Sequence, residues 1–256
     1  MQAPASRARH SRHQQGFWLW LAYAHQQPLS GASVNGKLFI VATPIGNLGD
    51  LSSRALATLR EVDLIACEDT RHTLKLLRYY EVQKPLLSLH EHNEAARIPQ
   101  LLEKIRAGQK VALVSDAGTP LVSDPGYRFL QAALAERVEI EALPGPCAAI
   151  NALVLSGLPS DRFFFAGFLT PKSAARLRSL ETLRDLQATL IFYESPHRIQ
   201  KFLRDAYRVL GPRRLVLARE MTKIYEEIYR GRLLEDPAAI PLRSWKGEFV
   251  VLVSGA

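Results

Sequence analysis

Lys37-Leu38-Phe39-Ile40-Val41-Ala42-Thr43 is a β-branched and apolar run that ends at Pro44, and Pro44-Ile45-Gly46-Asn47-Leu48-Gly49-Asp50 follows it as a turn. Asp50 is then a suitable N-cap for a helix whose apolar positions Leu51, Ala55 and Leu59 share one face at i, i+4 and i+8. The unit recurs outward from this point. Strands are expected at 62–67, 86–89, 111–114 and 138–143. Helices are expected over 72–80 and through Ile98, Leu101, Leu102 and Ile105, where Gly108 stops the pattern. The small apolar stretch 147–155 reads as a buried helix. Gly157-Leu158-Pro159-Ser160 is the best linker candidate. Beyond it, 163–166, 190–193, 215–218, 226–229 and 249–253 read as strands, and 177–186 and 199–210 as helices. Apolar strands alternating with helices predict an α/β architecture with covered sheets, in two lobes at 37–157 and 161–256.

The chain has 256 residues, 47% of them apolar, and 33 Lys+Arg against 25 Asp+Glu give it +8 at pH 7. That composition excludes disorder for the bulk of the chain. The longest apolar runs, such as 17–24, fall well short of the about 18 residues that span a bilayer, which excludes an integral membrane helix. Cys67 and Cys147 stand far apart with no partner ligands, so neither a disulfide framework nor a Cys-based zinc site is expected. Two free thiols fit a reducing compartment, and a cytoplasmic location is expected. Residues 1–36 contain no Asp or Glu, and Arg7, Arg9, Arg12 and Lys37 precede the first acid, Asp50. This segment reads as a disordered tail or a start codon placed too early, with a secretory leader and a transit peptide as competing readings. The basic excess suits a polyanionic partner and equally suits solvated Lys/Arg faces.

Ligands of open α/β sheets bind beyond the carboxyl ends of strands. Five loops there are dense in Gly, Pro and polar residues: 43–50, 68–71, 90–94, 115–126 and 144–147. One such loop is ordinary turn chemistry, whereas five in one lobe suggest a ligand that approaches backbone closely. Gly46-x-x-Gly49 is neither a dinucleotide fingerprint nor a Walker loop, so a phosphate cradle is disfavoured. Ser115-Asp116-Ala117-Gly118-Thr119-Pro120-Leu121-Val122-Ser123-Asp124-Pro125-Gly126 imposes a fixed backbone suited to a ligand with donors and acceptors, such as an adenine or an amino acid group. Asp116 and Asp124 offer Mg²⁺ as an alternative, without the further acids such a site needs. In Glu68-Asp69-Thr70-Arg71-His72, Asp69 or Thr70 caps a helix and Arg71 forms a solvated pair, or Arg71 binds phosphate while an acid deprotonates a hydroxyl. His90 and His92 would point to opposite sides of a continuing strand, which makes a poor metal pair; one imidazole acting as base or donor fits better. No metal is expected. Glu194, Ser195 and His197 are sequence neighbours with no nucleophile elbow, which argues against a hydrolase. Lys172, Arg176, Arg178 and Arg184 make one helix basic, as a solvated face or a contact to a nucleic-acid backbone.

In order and spacing, the strings 43–50, 67–73, 88–94, 115–126, 143–148, 192–198 and 219–223 resemble the RNA ribose-methylating branch of the tetrapyrrole methylase family, the class III S-adenosylmethionine methyltransferases. The resemblance spans about 36–256. It implies two α/β lobes with S-adenosylmethionine held in the cleft between them. It also implies methyl transfer to the ribose 2′-hydroxyl of a cytidine in the decoding region of 16S RNA within the 30S subunit, and a homodimer not bound to membrane. Carried onto this chain, the donor site comprises Pro44, Gly118, Thr119, Pro120, Val122, Pro144, Cys147 and Ala148, with Tyr193, Glu194, Ala218, Arg219 and Glu248 from the second lobe. The RNA side comprises Asn47, Arg71, Asn93, Lys172, Arg176 and Arg178, and the catalytic candidates are Asp69, His90 and Glu68. The chain departs from the family pattern in its first 36 residues, in Cys147 where a serine is expected, and in the short segment with which family members continue past the last strand. A small-molecule substrate on the same fold and a non-catalytic RNA-binding module are the rival readings.

Overall fold

A computed structural model describes residues 36–256. The expectations for the N-terminal segment lie outside that range. The first lobe runs β1 (Lys37–Val41), α1 (Ser53–Glu61), β2 (Leu64–Cys67), α2 (Thr70–Tyr79), β3 (Leu86–Ser88), α3 (Glu94–Arg106), β4 (Lys110–Val114), α4 (Tyr127–Ala135), β5 (Glu139–Leu143) and α5 (Ala148–Ser156). The second runs β6 (Phe163–Gly167), α6 (Ser173–Leu183), β7 (Thr189–Glu194), α7 (Ile199–Leu210), β8 (Arg214–Arg219), β9 (Glu227–Arg232) and β10 (Phe249–Val253).

The first sheet is parallel throughout, in the order β3-β2-β4-β1-β5. Its central strands are buried on both faces because helices cover each side. Leu38, Ile40 and Leu113 pack with Leu101, Leu102, Ile105 and Phe129, while Phe39, Val41 and Val114 pack with Ala55, Leu59 and Leu77. The second sheet is mixed, in the order β6-β7-β10-β8-β9, with only β6 and β7 parallel. One face packs on α6 and α7, whose stripe Ile199, Phe202, Leu203 and Ala206 is fully buried. The other face receives α5, through Ala149, Ala152 and Leu153 against Ile191, Val216, Val250 and Leu252. A helix that follows the last strand of the first sheet thus joins the core of the second.

Several expectations need correction. Ser52, not Asp50, caps α1: its Oγ accepts from the Ala55 amide at 3.1 Å, while Asp50 ends a short 3₁₀ turn. β1 stops at Val41, and Thr43 instead pairs with Gly118 as an isolated bridge. Sheet coverage is incomplete: the edge strands β5 and β9 carry exposed residues, including Glu139, Ala142, Arg230 and Arg232. α5 is buried only on its inner face, since Ile150, Val154 and Leu155 are exposed. Helix α4 has no counterpart in the sequence reading. Its stripe is thin, with only Phe129 and Ala133 buried, and it starts directly after the Gly/Pro-rich loop that dominates the pattern there.

Candidate functional site

β1 and β4 are neighbours at the centre of the parallel sheet, and the connections leaving them run in opposite directions across it, so a crevice opens at their carboxyl ends. The loops beyond them are tied together there. Thr43 and Gly118 exchange backbone hydrogen bonds at 2.9 and 3.0 Å, and the Thr43 hydroxyl donates to the Ser115 carbonyl at 3.1 Å. Thr119 Oγ1 donates to the Pro146 carbonyl at 3.0 Å, which joins the 115–126 loop to the turn after β5. The far end of that loop is anchored by Glu94, a buried carboxylate that accepts the Gly126 amide at 3.0 Å.

Two turns on the wall of one cavity hold non-glycine residues in the left-handed region. Leu121 and Ser123 sit at φ 74° and 67°, and Glu220 and Thr222 at 51° and 64°. Each such residue costs about 1 kcal/mol or more, a cost typically borne at functional sites. Glycine lets each turn meet another segment closely. A Cβ on Gly46 would lie 2.3 Å from Lys223 Cγ, and one on Gly167 would lie 2.8 Å from Ser123 Oγ, at φ values of 154° and 59°.

Between these turns lies a cavity of about 410 Å³. Nine residues of the expected donor set line it: Gly118, Thr119, Val122, Cys147 and Ala148 from the first lobe, and Tyr193, Glu194, Ala218 and Glu248 from the second. Pro120, Pro144 and Arg219 do not. Pro120 is buried behind the loop, Pro144 is exposed, and the Arg219 guanidinium is sunk beside Glu227 at 3.1 Å. Pro44 lines a neighbouring crevice of about 270 Å³ with His72, Thr73 and Lys75, and Asp116 borders both cavities.

Four carboxylates line the larger cavity: Asp116, Asp124, Glu194 and Glu248. Glu194 is buried and held by the Ser195 amide at 2.9 Å and Arg198 at 3.1 Å, and its carboxyl is pushed up by burial. Lys223, the one cation among the described lining residues, bridges Glu220 and Glu248 at 2.9 Å each. The Tyr193 hydroxyl accepts the Ala149 amide at 3.2 Å, burial pushes its pKa up, and its ring packs edge-on against Phe165 and Phe168. A site with this surplus of carboxylates, small apolar walls at Ala148, Ala218 and Val250, and a constrained backbone repels phosphate and suits a cationic sulfonium nucleoside.

The expected RNA-side and catalytic residues scatter around the rim. Asp69 caps α2, accepting the Arg71 amide at 2.8 Å, and pairs with the Arg71 guanidinium at 2.7 Å; Arg71 holds its carboxyl well below the usual carboxylate range. Here the helix-capping reading is the one observed. The Asp69 amide in turn donates to Asp116 at 3.1 Å, which brings Glu68 and Asp116 together. Burial first, then Asp116, pushes the Glu68 carboxyl up. His90 does not line the cavity: its Nε2 contacts Asn93 at 3.0 Å, and a turn places its ring 6.0 Å from that of His92 rather than on an opposite side. Asn47 is exposed and accepts the Gly49 amide. Lys172 and Arg178 are exposed, but Arg176 is corrected to a structural residue. Its guanidinium is 3% exposed, pairs with Asp205 at 2.6 Å and donates to the Thr170 and Pro171 carbonyls. Sequence alone missed Asp124, Glu94 and Lys223. Asp124 stood out only as half of an acidic pair.

Residues 37–235 match the family model for Tetrapyrrole (Corrin/Porphyrin) Methylases. The chain is 50% identical over 230 residues to a protein of Haemophilus influenzae named "Ribosomal RNA small subunit methyltransferase I", covering 87% of this chain and 80% of that one. It is 46% identical over 220 residues to a protein of the same name from Thermotoga maritima, covering 86% of this chain and 99% of that one. Among solved structures, a diphthine synthase superposes with a TM-score of 0.68 at 16% identity, over 86% of this chain and 90% of that one. The methyltransferase CobJ superposes with a TM-score of 0.64 at 22% identity, over 86% and 95%. The shared two-lobed fold, the family match over most of the length and the half-identical relatives lead to one conclusion: the chain belongs to the tetrapyrrole methylase family.

Proposed function

We propose that this chain is an S-adenosylmethionine-dependent methyltransferase that 2′-O-methylates a cytidine ribose in the decoding region of 16S ribosomal RNA. It would work on the 30S subunit in the cytoplasm, as a homodimer of two-lobed chains divided near 157–161. The observation that carries the reading is the net-acidic cavity built from the turns that the sequence places in the RNA-methylating branch, in a chain half-identical to relatives bearing a small-subunit ribosomal RNA methyltransferase name. Among the described residues no helix is long and apolar enough to cross a membrane.

The cavity residues fit the donor. Ala148, Ala218 and Val250 would offer apolar faces to an adenine, the constrained 116–119 backbone would supply polar groups for its edges, and the carboxylates would oppose the donor's positive charges. Bound there, the donor supplies an electrophilic methyl group on a positively charged sulfur. The protein's part is to hold a ribose hydroxyl in line with that group, which supplies much of the rate, and to exclude water. Pro44, His72 and Lys75 line the adjoining crevice, and exposed Arg71 near it and Lys172 and Arg178 on the second lobe offer cations to the RNA backbone. Asn47 and Asn93 remain candidates on the RNA side.

Incubation of the purified protein with methyl-labelled donor and unmethylated 30S subunits tests the reading. Label recovered in one 2′-O-methylcytidine is expected. Donor binding in calorimetry without label in RNA would move the chain to a small-molecule substrate, and no donor binding would leave only an RNA-binding module.

A further inference from the structure

The second sheet ends at β9, and arginines gather where β9 pairs with β8. Arg214 stands directly opposite Arg232 in the register, and Val216 directly opposite Arg230. Opposite residues share a face, as do residues two apart on one strand, so Arg214, Arg230 and Arg232 lie on the Val216 side of the sheet. That side packs against α5, and farther along β8 its Ala218 lines the donor cavity. All three arginines are exposed, and among the described residues none pairs with a carboxylate. Each guanidinium is anchored on a backbone carbonyl instead. Arg230 donates through Nε and Nη2 to Leu155 at 3.0 and 2.6 Å, and Arg232 through the same atoms to Pro212 at 3.0 and 2.7 Å. Arg214 donates through Nη2 to Gly157 at 3.1 Å. Leu155 and Gly157 stand at the C-terminal end of α5, whose dipole offers about half a negative charge, less than one guanidinium carries. Charge on an edge strand also guards against pairing with other chains, but that role does not require like charges directly opposite, which destabilise the strand pair.

We propose that Arg214, Arg230 and Arg232 form a docking site for the phosphate backbone of the RNA whose nucleotide enters the cavity. This rests on the reading of the cavity as a ribose methyltransferase site. A guanidinium carries five N–H donors in a planar fork that matches phosphate oxygens. The carbonyl anchors occupy the Nε side of Arg230 and Arg232 and leave the Nη1 groups to a phosphate, with the fork already held in place. Four residues of β8 separate Arg214 from Ala218 on the cavity wall, about 13 Å, which an RNA strand covers in a few nucleotides. Phosphates held at the sheet edge would set the direction and register of the strand relative to the donor without reading its bases. A polyanion also relieves the repulsion between Arg214 and Arg232 that the bare edge carries.

The test compares wild type with a triple variant, Arg214→Gln, Arg230→Gln and Arg232→Gln, and with the matching triple lysine variant. Binding to 30S subunits is measured between 50 and about 300 mM salt, methyl transfer by KM and kcat, donor affinity by calorimetry, and oligomeric state by sedimentation. Each phosphate contact contributes about 0.7–0.9 to the slope of log affinity against log salt, so the glutamine variant should have a slope shallower by about 2–3. Its KM for 30S subunits should rise at least tenfold near physiological salt, with the loss falling on KM rather than kcat and donor affinity changed less than twofold. The lysine variant keeps the charges and should keep most of the slope. If the triple glutamine variant does not fold, the single Arg232→Gln variant decides, with a slope shallower by about 0.7–0.9. Overturning results are a wild-type slope and KM in the glutamine variants, a loss of donor affinity equal to the loss in KM, or a change to smaller particles in sedimentation, which would make the edge a contact between copies of the chain. A wild type that binds donor but methylates no RNA would overturn the methyltransferase reading itself, whereas an active wild type with unmoved variants overturns the docking site alone.

Discussion

The Asp124 carboxyl ionises at about 6 in the folded protein against an ordinary value of 3.8, so its burial also carries a stability cost with a definite pH window. Between these values the folded state binds more protons than the unfolded one, and stability falls as pH rises through the interval. Below about pH 3 both states are protonated and the cost vanishes. Asp124→Asn should therefore raise the melting temperature at pH 8 by the equivalent of about 1–2 kcal/mol, after discounting for partial exposure, and leave it unchanged at about pH 3. Thermal melts at the two pH values check this. Arg176 makes the opposite case. Removing its guanidinium leaves Asp205, whose side chain is only 15% exposed, with Ser173 but no cation among the described residues, so Arg176→Ala should cost about 3 kcal/mol in urea unfolding. The salt dependence of RNA binding should not move. Lys172→Ala with Arg178→Ala should do the reverse: stability within about 0.5 kcal/mol per site, and a slope of log affinity against log salt shallower by about 1–2.

At the scale of elements, the turn that follows β8 carries backbone strain at the cavity wall. Thr222 is β-branched, left-handed at φ 64°, and its Oγ1 is buried without a hydrogen-bond partner. Thr222→Gly relaxes the backbone and removes the orphaned hydroxyl. It should stabilise the fold by about 1 kcal/mol in denaturant unfolding while weakening donor binding, because the freed turn no longer holds Lys223 against Glu248. The regular elements were largely legible because their signals are local. The alternation of apolar strands with amphipathic helices identifies β1 to β10, and β10 and α7 match to the residue. Helix α4 was hidden because two buried residues make too faint a stripe beside a loop rich in Gly and Pro. Asp50 competed with Ser52 for the cap, and the backbone chose the residue two places later.

Across the whole molecule, α5 and the paired turns join two sheets around one cavity. Gly46 is the narrowest point of that junction, where any side chain meets the Lys223 stem. Gly46→Val should push Lys223 from its bridge with Glu220 and Glu248 and lower donor affinity at least tenfold in calorimetry, with the far-ultraviolet dichroism of both sheets unchanged. If affinity holds, the contact between the turns does not shape the site. Most of the donor set could be read in advance because it lies on strand-end loops whose Gly, Pro and small residues are visible in the chain. Arg219 and Pro120 occupy the same loops but turn inward, and a loop's sequence does not say which side chain faces the cavity.

By itself the sequence determined the α/β class and the turns that mark the family, since periodicity and turn chemistry act between residues close in the chain. The tertiary structure alone decided which charges are free to act. Arg176 is neutralised by a residue 29 positions away, Asp69 is committed to its helix, and Asp124 is half-buried near Glu68 from the end of β2. Burial and electrostatic pairing depend on neighbours that only the folded chain brings together.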